Sequence, residues 1–212
     1  MSDRPPFISF YTGDRFYRDG SVRLRSRCAA LGIPLLVERL DGAGEYWANT
    51  LRKPPFILEK VRELRRDLFW IDVDTSLNED HDCFRAVSGD LAFASHTGTL
   101  QGIKASPIGV RYTDASLRFL SCWSEQCLAR IRQHDVDLDH DILKYEVLPR
   151  FRGRLSLSIM TDGVSPRNFT DGRFIGNGLS RPPGKSQALG AVFAKNARRA
   201  HAFGALGLQD FR

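Results

Sequence analysis

The 212 residues are 42% hydrophobic and 26% charged, proportions that exclude a low-complexity chain and suit one sizeable globular core. Lysine and arginine exceed the acidic residues to give a net charge of +6, which suits a polyanionic partner or substrate and equally a solvated surface with an uneven charge count. No apolar run approaches the roughly 20 residues of a membrane span, and MSDRPPFISF lacks the basic-then-apolar pattern of a secretory leader, so a cytoplasmic protein with no membrane partner is expected.

PFISFYT, Pro6 to Thr12, is rich in β-branched and aromatic residues and stops at Gly13 and Asp14, the pattern of a buried first strand. The arginine-rich segment that follows predicts a helix through SVRLRSRCAALG that ends at Gly32, and IPLLVERL predicts a second strand. KPPFILEKVREL places Pro54 and Pro55 where a first helical turn tolerates them and spaces Ile57, Val61 and Leu64 at helical intervals. That helix leads into the strand LFWIDVD. LAFASHT and SPIGVRYT predict two more strands. Thr113 or Asp114 then caps a helix with the apolar stripe Leu117, Leu120, Trp123, Cys127 and Ile131.

Residues 161–187 are dense in Gly, Pro, Ser, Asn and Asp, and they predict a long loop. The segment 188–206 predicts a C-terminal helix with Leu189, Val192, Phe193, Ala197 and Ala200 inward and Lys195, Arg198 and Arg199 outward. Alternating strands and helices imply an α/β domain with a largely parallel sheet, whose ligands bind at the carboxyl ends of the strands. Asp14, Asp72 and Asp74 all fall at such ends. The cysteines 28, 83, 122 and 127 show no disulfide-scaffold spacing, and with His81 they match no recurrent zinc pattern.

In an extended backbone Asp72 and Asp74 project to one side while Val73 packs away. Two close carboxylates repel unless something positive sits between them. A hard cation, Mn²⁺ or Mg²⁺, satisfies them with few protein ligands and leaves positions for water and substrate phosphates. The bland alternative is a turn in which Asp74 caps a loop.

With this strand-end D-x-D, the chain resembles the GT-A type of nucleotide-sugar glycosyltransferase. The resemblance runs from about Phe7 to Leu148 and includes FYTGD, YWANTLRKPPFILEKV, LFWIDVDTSL, SHTGTL, a helix carrying Trp123, and DLDHDIL. In the family the last stretch usually has glutamine where His140 stands. The resemblance implies one GT-A-like, Rossmann-like domain over residues 1–212, with a mostly parallel sheet flanked by helices. It implies that Tyr11, Thr12 and Asp14 line the nucleoside pocket, that Asn49 and Lys53 lie near ribose or phosphate, and that Asp72 and Asp74 hold the metal. Asp139 and His140 would face the sugar and acceptor, Asp139 as a base or an orienting group. The implied donor is a nucleotide-diphosphate sugar, a UDP-sugar first among them.

Lys185 and Arg173 are candidates to clamp a diphosphate, and Asn177 and His201 are weak candidates for a further metal ligand. The basic stretches SVRLRSR and RFRGR, with the outward side of the last helix, suggest DNA as acceptor through a hydroxymethylated base, as in the base-J type of DNA glycosyltransferase and its viral relatives. Carbohydrate and protein acceptors are the alternatives. Two other classes remain, a non-catalytic nucleic-acid-binding protein and a phosphotransferase, though no phosphate-binding G-x-x-x-x-G-K-[ST] motif is present.

Overall fold

A computed structural model describes residues 4–160, 175–176, 185–204 and 206–211. Strands β1 (Phe7–Thr12), β2 (Leu35–Leu40) and β3 (Leu68–Trp70) are parallel neighbours, and β5 (Leu91–Ser95), β6 (Ile103–Val110) and β7 (Leu157–Ile159) extend them into a six-stranded sheet of order β2-β1-β3-β6-β5-β7. Five strands share one direction; β6 opposes both β3 and β5. A two-stranded ribbon pairs β4 (Ser76–Leu77) with β8 (Ile175–Gly176).

Helices cover both faces, which explains why the strands read as unbroken apolar runs. Successive residues of a strand point to opposite faces: Ile8 and Trp70 join a core with Phe56, Ile57, Val61, Phe119 and Trp123, while Phe7 and Phe69 join one with Leu24, Cys28 and Phe84. The first core lies under α3 (Lys53–Leu64) and α4 (Asp114–Arg132), and the second under α1 (Arg15–Ala30).

Local chemistry sets the helix ends. Asp14 caps α1 by accepting from the Phe16 amide at 2.7 Å, which satisfies one of the open donors of a first turn. Gly32, at φ 65°, follows its end. The Pro pair sits in the first turn of α3, and Thr113 with Ser116 forms a capping box on α4. Short α2 (Tyr46–Thr50) precedes α3, and α5 (Asp139–Ile142) runs into a π-helical turn, Leu143–Val147, and a 3₁₀ turn, Leu148–Phe151.

Three expectations need correction. β3 stops pairing at Trp70, and Asp72 to Thr75 form a turn closed by the Thr75 amide on the Asp72 carbonyl at 3.0 Å, so the D-x-D is not extended strand. Within the stretch expected to be a loop, residues 175–176 form β8 and Lys185 already begins α6 (Lys185–Gly204).

The phase of α6 also differs. Ala188 and Val192 are buried, but Leu189 and Phe193 are exposed, Phe193 at 78%, and Ala200 is exposed too. Lys195 pairs with Asp135, and Arg199 grips Asp137 through two nitrogens at 3.2 and 2.8 Å. The apolar spacing suggested one face, but half-buried Asp135 and buried Asp137, after α4, draw the basic face inward. Arg173 and Asn177 lie outside the described residues, as do the side chains of Ala197, Arg198 and His201.

Candidate functional site

Because β6 runs against its neighbours, its first residues lie at the same edge as the last residues of β1 and β3. A cavity of about 580 Å³ opens there, within the roughly 300–1,000 Å³ of small-molecule sites. Tyr11, Thr12 and Asp14 line it from the end of β1, Asp72 and Asp74 from the turn after β3, and Asp139 and His140 from α5. Asn49, Lys53 and Lys185 complete the residues expected from sequence. All ten therefore face one space.

Their detailed environments differ from expectation, above all at Lys53. Its Nζ is 3.1 Å from Asp72 Oδ1 and 2.9 Å from Asp139 Oδ2, and it donates to the Ala105 carbonyl at 3.2 Å. Lys53 is buried and so is Asp139, which is 5% exposed. Burial alone would push the Lys53 ammonium down, but Asp139 and Asp72 outweigh it and hold the pKa above the ordinary lysine value. Lys53 thus crosslinks two carboxylates from different elements. The resemblance had implied that Lys53 lies near ribose or phosphate, and Lys53 does line the cavity.

Further bonds fix the two aspartate residues. Trp70 Nε1 donates to Asp72 Oδ1 at 3.0 Å, and the Asp72 amide donates to Ser106 Oγ at 2.8 Å. Trp123 Nε1 donates to the Asp139 carbonyl at 3.0 Å. Burial raises Asp139 above the usual carboxylate range, against the pull of Lys53. Asn49 accepts from the Ala43 amide at 2.8 Å and so shapes the loop at the cavity rim. Lys185 lies over the Tyr46 ring, 5.8 Å from its centroid.

The turn itself is held from behind. At Gly20 a Cβ would lie 2.8 Å from the Val73 carbonyl oxygen, so α1 approaches the Asp72–Asp74 turn as closely as glycine permits.

Sequence reasoning also missed Lys104, Ser106 and Tyr46, which line the cavity as well. Ser106 and Lys104 enter from β6, whose reversed direction no local pattern reveals. Half-buried His140 is pushed down to about 3 by burial and by the neighbouring Lys144, Lys53, His96 and Lys104, so it is a neutral imidazole.

Asp72 and Asp74 share one tight turn, and among the described residues no group of three His, Cys, Asp or Glu side chains gathers as a metal cage. Two hard oxygen donors on an open cavity suit a cation that keeps several waters and shares substrate oxygens, and do not suit a closed structural site.

The fold has known counterparts. The chain is similar to the glycosyltransferase involved in the glycosylation of the major capsid of PBCV-1, with 12% identity over 89% of this chain and 100% of that one and a TM-score of 0.60. It is also similar, at a TM-score of 0.43, to the apo-form glycosyltransferase GlyE of Streptococcus pneumoniae TIGR4, with 18% identity over 76% of this chain and 46% of that one. No protein-family model and no curated protein matches it. The first likeness establishes a glycosyltransferase fold, the mostly parallel α/β architecture expected from sequence; the second carries no argument.

Proposed function

We propose that the chain is a glycosyltransferase that moves a sugar from a nucleotide diphosphate, UDP first among them, to an acceptor hydroxyl. One observation carries this reading: on a glycosyltransferase fold, a single cavity holds the β1 end, the Asp72–Asp74 turn and buried Asp139. Tyr11, Thr12 and Asp14 bind the nucleoside, and Asn49 shapes the adjoining wall. Asp72 and Asp74 would hold Mn²⁺ or Mg²⁺, which supplies positive charge against that building up on a departing diphosphate. Lys185 adds a cation at the cavity rim.

Asp139 acts at the reacting centre. Where configuration inverts, it takes the proton of the acceptor hydroxyl, and where configuration is retained it orients that hydroxyl. Lys53 holds Asp139 and Asp72 in a fixed relation, and His140 contributes a neutral ring beside them.

The acceptor is a carbohydrate or protein hydroxyl in preference to a DNA base. Lys195 and Arg199, which motivated DNA, are engaged with Asp135 and Asp137, and Arg152 pairs with Asp210 at 2.7 Å. The involvement of the PBCV-1 protein in capsid glycosylation agrees with that choice.

Calorimetric titration of UDP with and without Mn²⁺, followed by mass spectrometry of reactions with a panel of UDP-sugars, tests the reading. Metal-dependent UDP binding with release of free sugar is expected. Tight binding of nucleoside triphosphates with no UDP-sugar turnover would replace it with phosphotransfer.

A further inference from the structure

Short α5 brings Asp139 and His140 to the cavity, and two arginines hold the chain on either side of it. Arg130 of α4 places Nε 3.4 Å from Asp137 Oδ2 and Nη2 2.8 Å from Glu146 Oε1. Arg199 of α6 reaches the same two oxygens, at 2.8 and 2.9 Å. Asp137 lies two residues before α5 begins, and Glu146 four residues after it ends at Ile142. The four charges therefore close a ring that ties the entry of α5 to its exit. Asp137 Oδ1 also accepts from the Leu138 amide at 2.9 Å, which fixes the peptide leading into Asp139.

The same two helices grip α5 itself. On α4, Trp123 lies about two turns before Arg130 on one face, and its Nε1 donates to the Asp139 carbonyl at 3.0 Å. On α6, Asn196 lies one turn before Arg199, and its Nδ2 donates to Asp141 Oδ1 at 2.9 Å. The four residues of the ring stand behind the cavity wall and do not line it. Whatever they contribute to a bound substrate passes through the placement of Asp139 and His140.

The Asp137 side chain has no exposed surface, and those of Arg130, Arg199 and Glu146 are 20% exposed or less. Desolvating four charges cancels much of their mutual attraction, so a cluster of this kind adds little stability over apolar residues of the same volume. Its guanidinium forks do fix geometry, because they accept carboxylates in few orientations. Asp139 has to meet Lys53 at 2.9 Å and the reacting hydroxyl at once. A displacement of about 1 Å at a reacting group costs about a hundredfold in rate. Resting on the glycosyl-transfer reading, we propose that the ring of Arg130, Asp137, Arg199 and Glu146 is a positioning device for Asp139. Its members are positioning residues of the transfer reaction although none touches the substrate.

Glu146→Gln removes one charge of the ring at nearly constant volume. The combination Arg130→Met, Asp137→Asn, Glu146→Gln and Arg199→Met removes all four, so no charge of the ring is left unpaired, and Asp135 keeps its bond from Lys195. Ile33→Ala serves as control: it opens a cavity in the second core just before β2, at the sheet edge opposite the site, and gives a destabilised protein with the site intact. Below the melting temperature of each protein, UDP binding in Mn²⁺ is measured by calorimetry. Hydrolysis of the UDP-sugar that the wild type turns over fastest is followed with water as acceptor. Turnover lowered about tenfold or more in both ring variants is expected, with UDP affinity within about twofold of the wild type and turnover by Ile33→Ala unchanged. Full turnover by the folded fourfold variant overturns the proposal, because a ring needed only for stability predicts it. A loss of UDP affinity that parallels the loss of turnover overturns it as well. If the wild type binds no UDP, or Asp139→Asn turns over fully, the parent reading of the site falls and takes this one with it.

Discussion

Lys53 and Asp139 meet at 2.9 Å in the interior, and the same ammonium reaches Asp72. Lys53→Met keeps the stem and removes the charge, leaving a buried carboxylate without its ion. Breaking a buried pair in this way costs about 3–5 kcal/mol. Asp139 already lies above the usual carboxylate range and rises further without Lys53. An acid with a raised folded pKa loses stability as pH climbs through the window above its unfolded value. The deficit is therefore largest at neutral and alkaline pH and shrinks toward pH 4. Urea denaturation of both proteins at several pH values checks this; a pH-independent difference contradicts it.

Asp74→Asn and Asp139→Asn should separate binding from chemistry. The first neutralises one carboxylate of the turn at nearly constant volume, so the fold survives and Mn²⁺-dependent UDP binding is lost. The second keeps UDP binding and loses transfer by about a hundredfold or more, in the range of general acid-base contributions. Calorimetry alongside turnover distinguishes them, and a fully active Asp139→Asn removes that residue from the reacting centre.

Gly20→Ala probes the support of the turn. Its methyl would meet the Val73 carbonyl at 2.8 Å, and overpacking against backbone typically costs about 1–3 kcal/mol. The displaced atom lies between Asp72 and Asp74, so UDP affinity in Mn²⁺ falls although no ligand-lining side chain has changed. Thermal unfolding and calorimetry on one preparation test both effects; unchanged affinity would show that the turn relaxes.

Burial pushes the Asp141 carboxyl up to about 6, against its hydrogen bond from Asn196 and with Asp137 and Asp139 adding to the rise. The folded state then holds more protons than the unfolded chain between about pH 4 and pH 6, so stability falls as pH rises through that window. Asp141→Asn removes the loss. It should exceed the wild type by about 1 kcal/mol at pH 8, a figure discounted for partial solvent exposure, and show no advantage near pH 3.5. Melting curves at both pH values decide.

Arg199→Ala separates a structural helix face from a nucleic-acid surface. Its Asp137 partner is fully buried and its guanidinium also reaches Glu146 at 2.9 Å. Arg130 still reaches both Asp137 and Glu146, so the substitution should lower stability by about 1–3 kcal/mol and leave retention of duplex DNA, weak at all salt concentrations, unchanged. Steep salt-dependent retention by the wild type that the variant loses would return DNA to the acceptor list.

The sequence made some elements far more legible than others. PFISFYT and KPPFILEKVREL announced their class because composition, proline placement and periodicity agree, and the observed β1 and α3 match them. Asp14, Asp72 and Asp74 were reachable because a largely parallel sheet sends its strand ends to one edge; Lys185 was reached through its charge, and the other cavity residues through the resemblance to glycosyltransferases. β6 hid its direction, since apolar alternation is the same either way, and Lys104 and Ser106 were missed with it. That Lys53 pairs with Asp72 and Asp139 was not legible, because these partners lie 19 and 86 residues along the chain and no local spacing predicts that an ammonium will lie between them. In α6 the apolar positions left the rotational phase open, and the buried Asp137 set it.

The indole bonds give the site an optical handle. Trp70 donates to Asp72 and Trp123 to the carbonyl of Asp139, while Trp47 donates to Glu45 at the cavity's outer loop. Each tryptophan of the chain is thus bonded to an acidic residue on or beside the cavity wall. Emission from the native protein should shift or quench when the carboxylates change their load, and single Trp→Phe variants would assign the signal to one wall. Occupancy could then be followed in real time without a label or coupled assay, even before the acceptor is known.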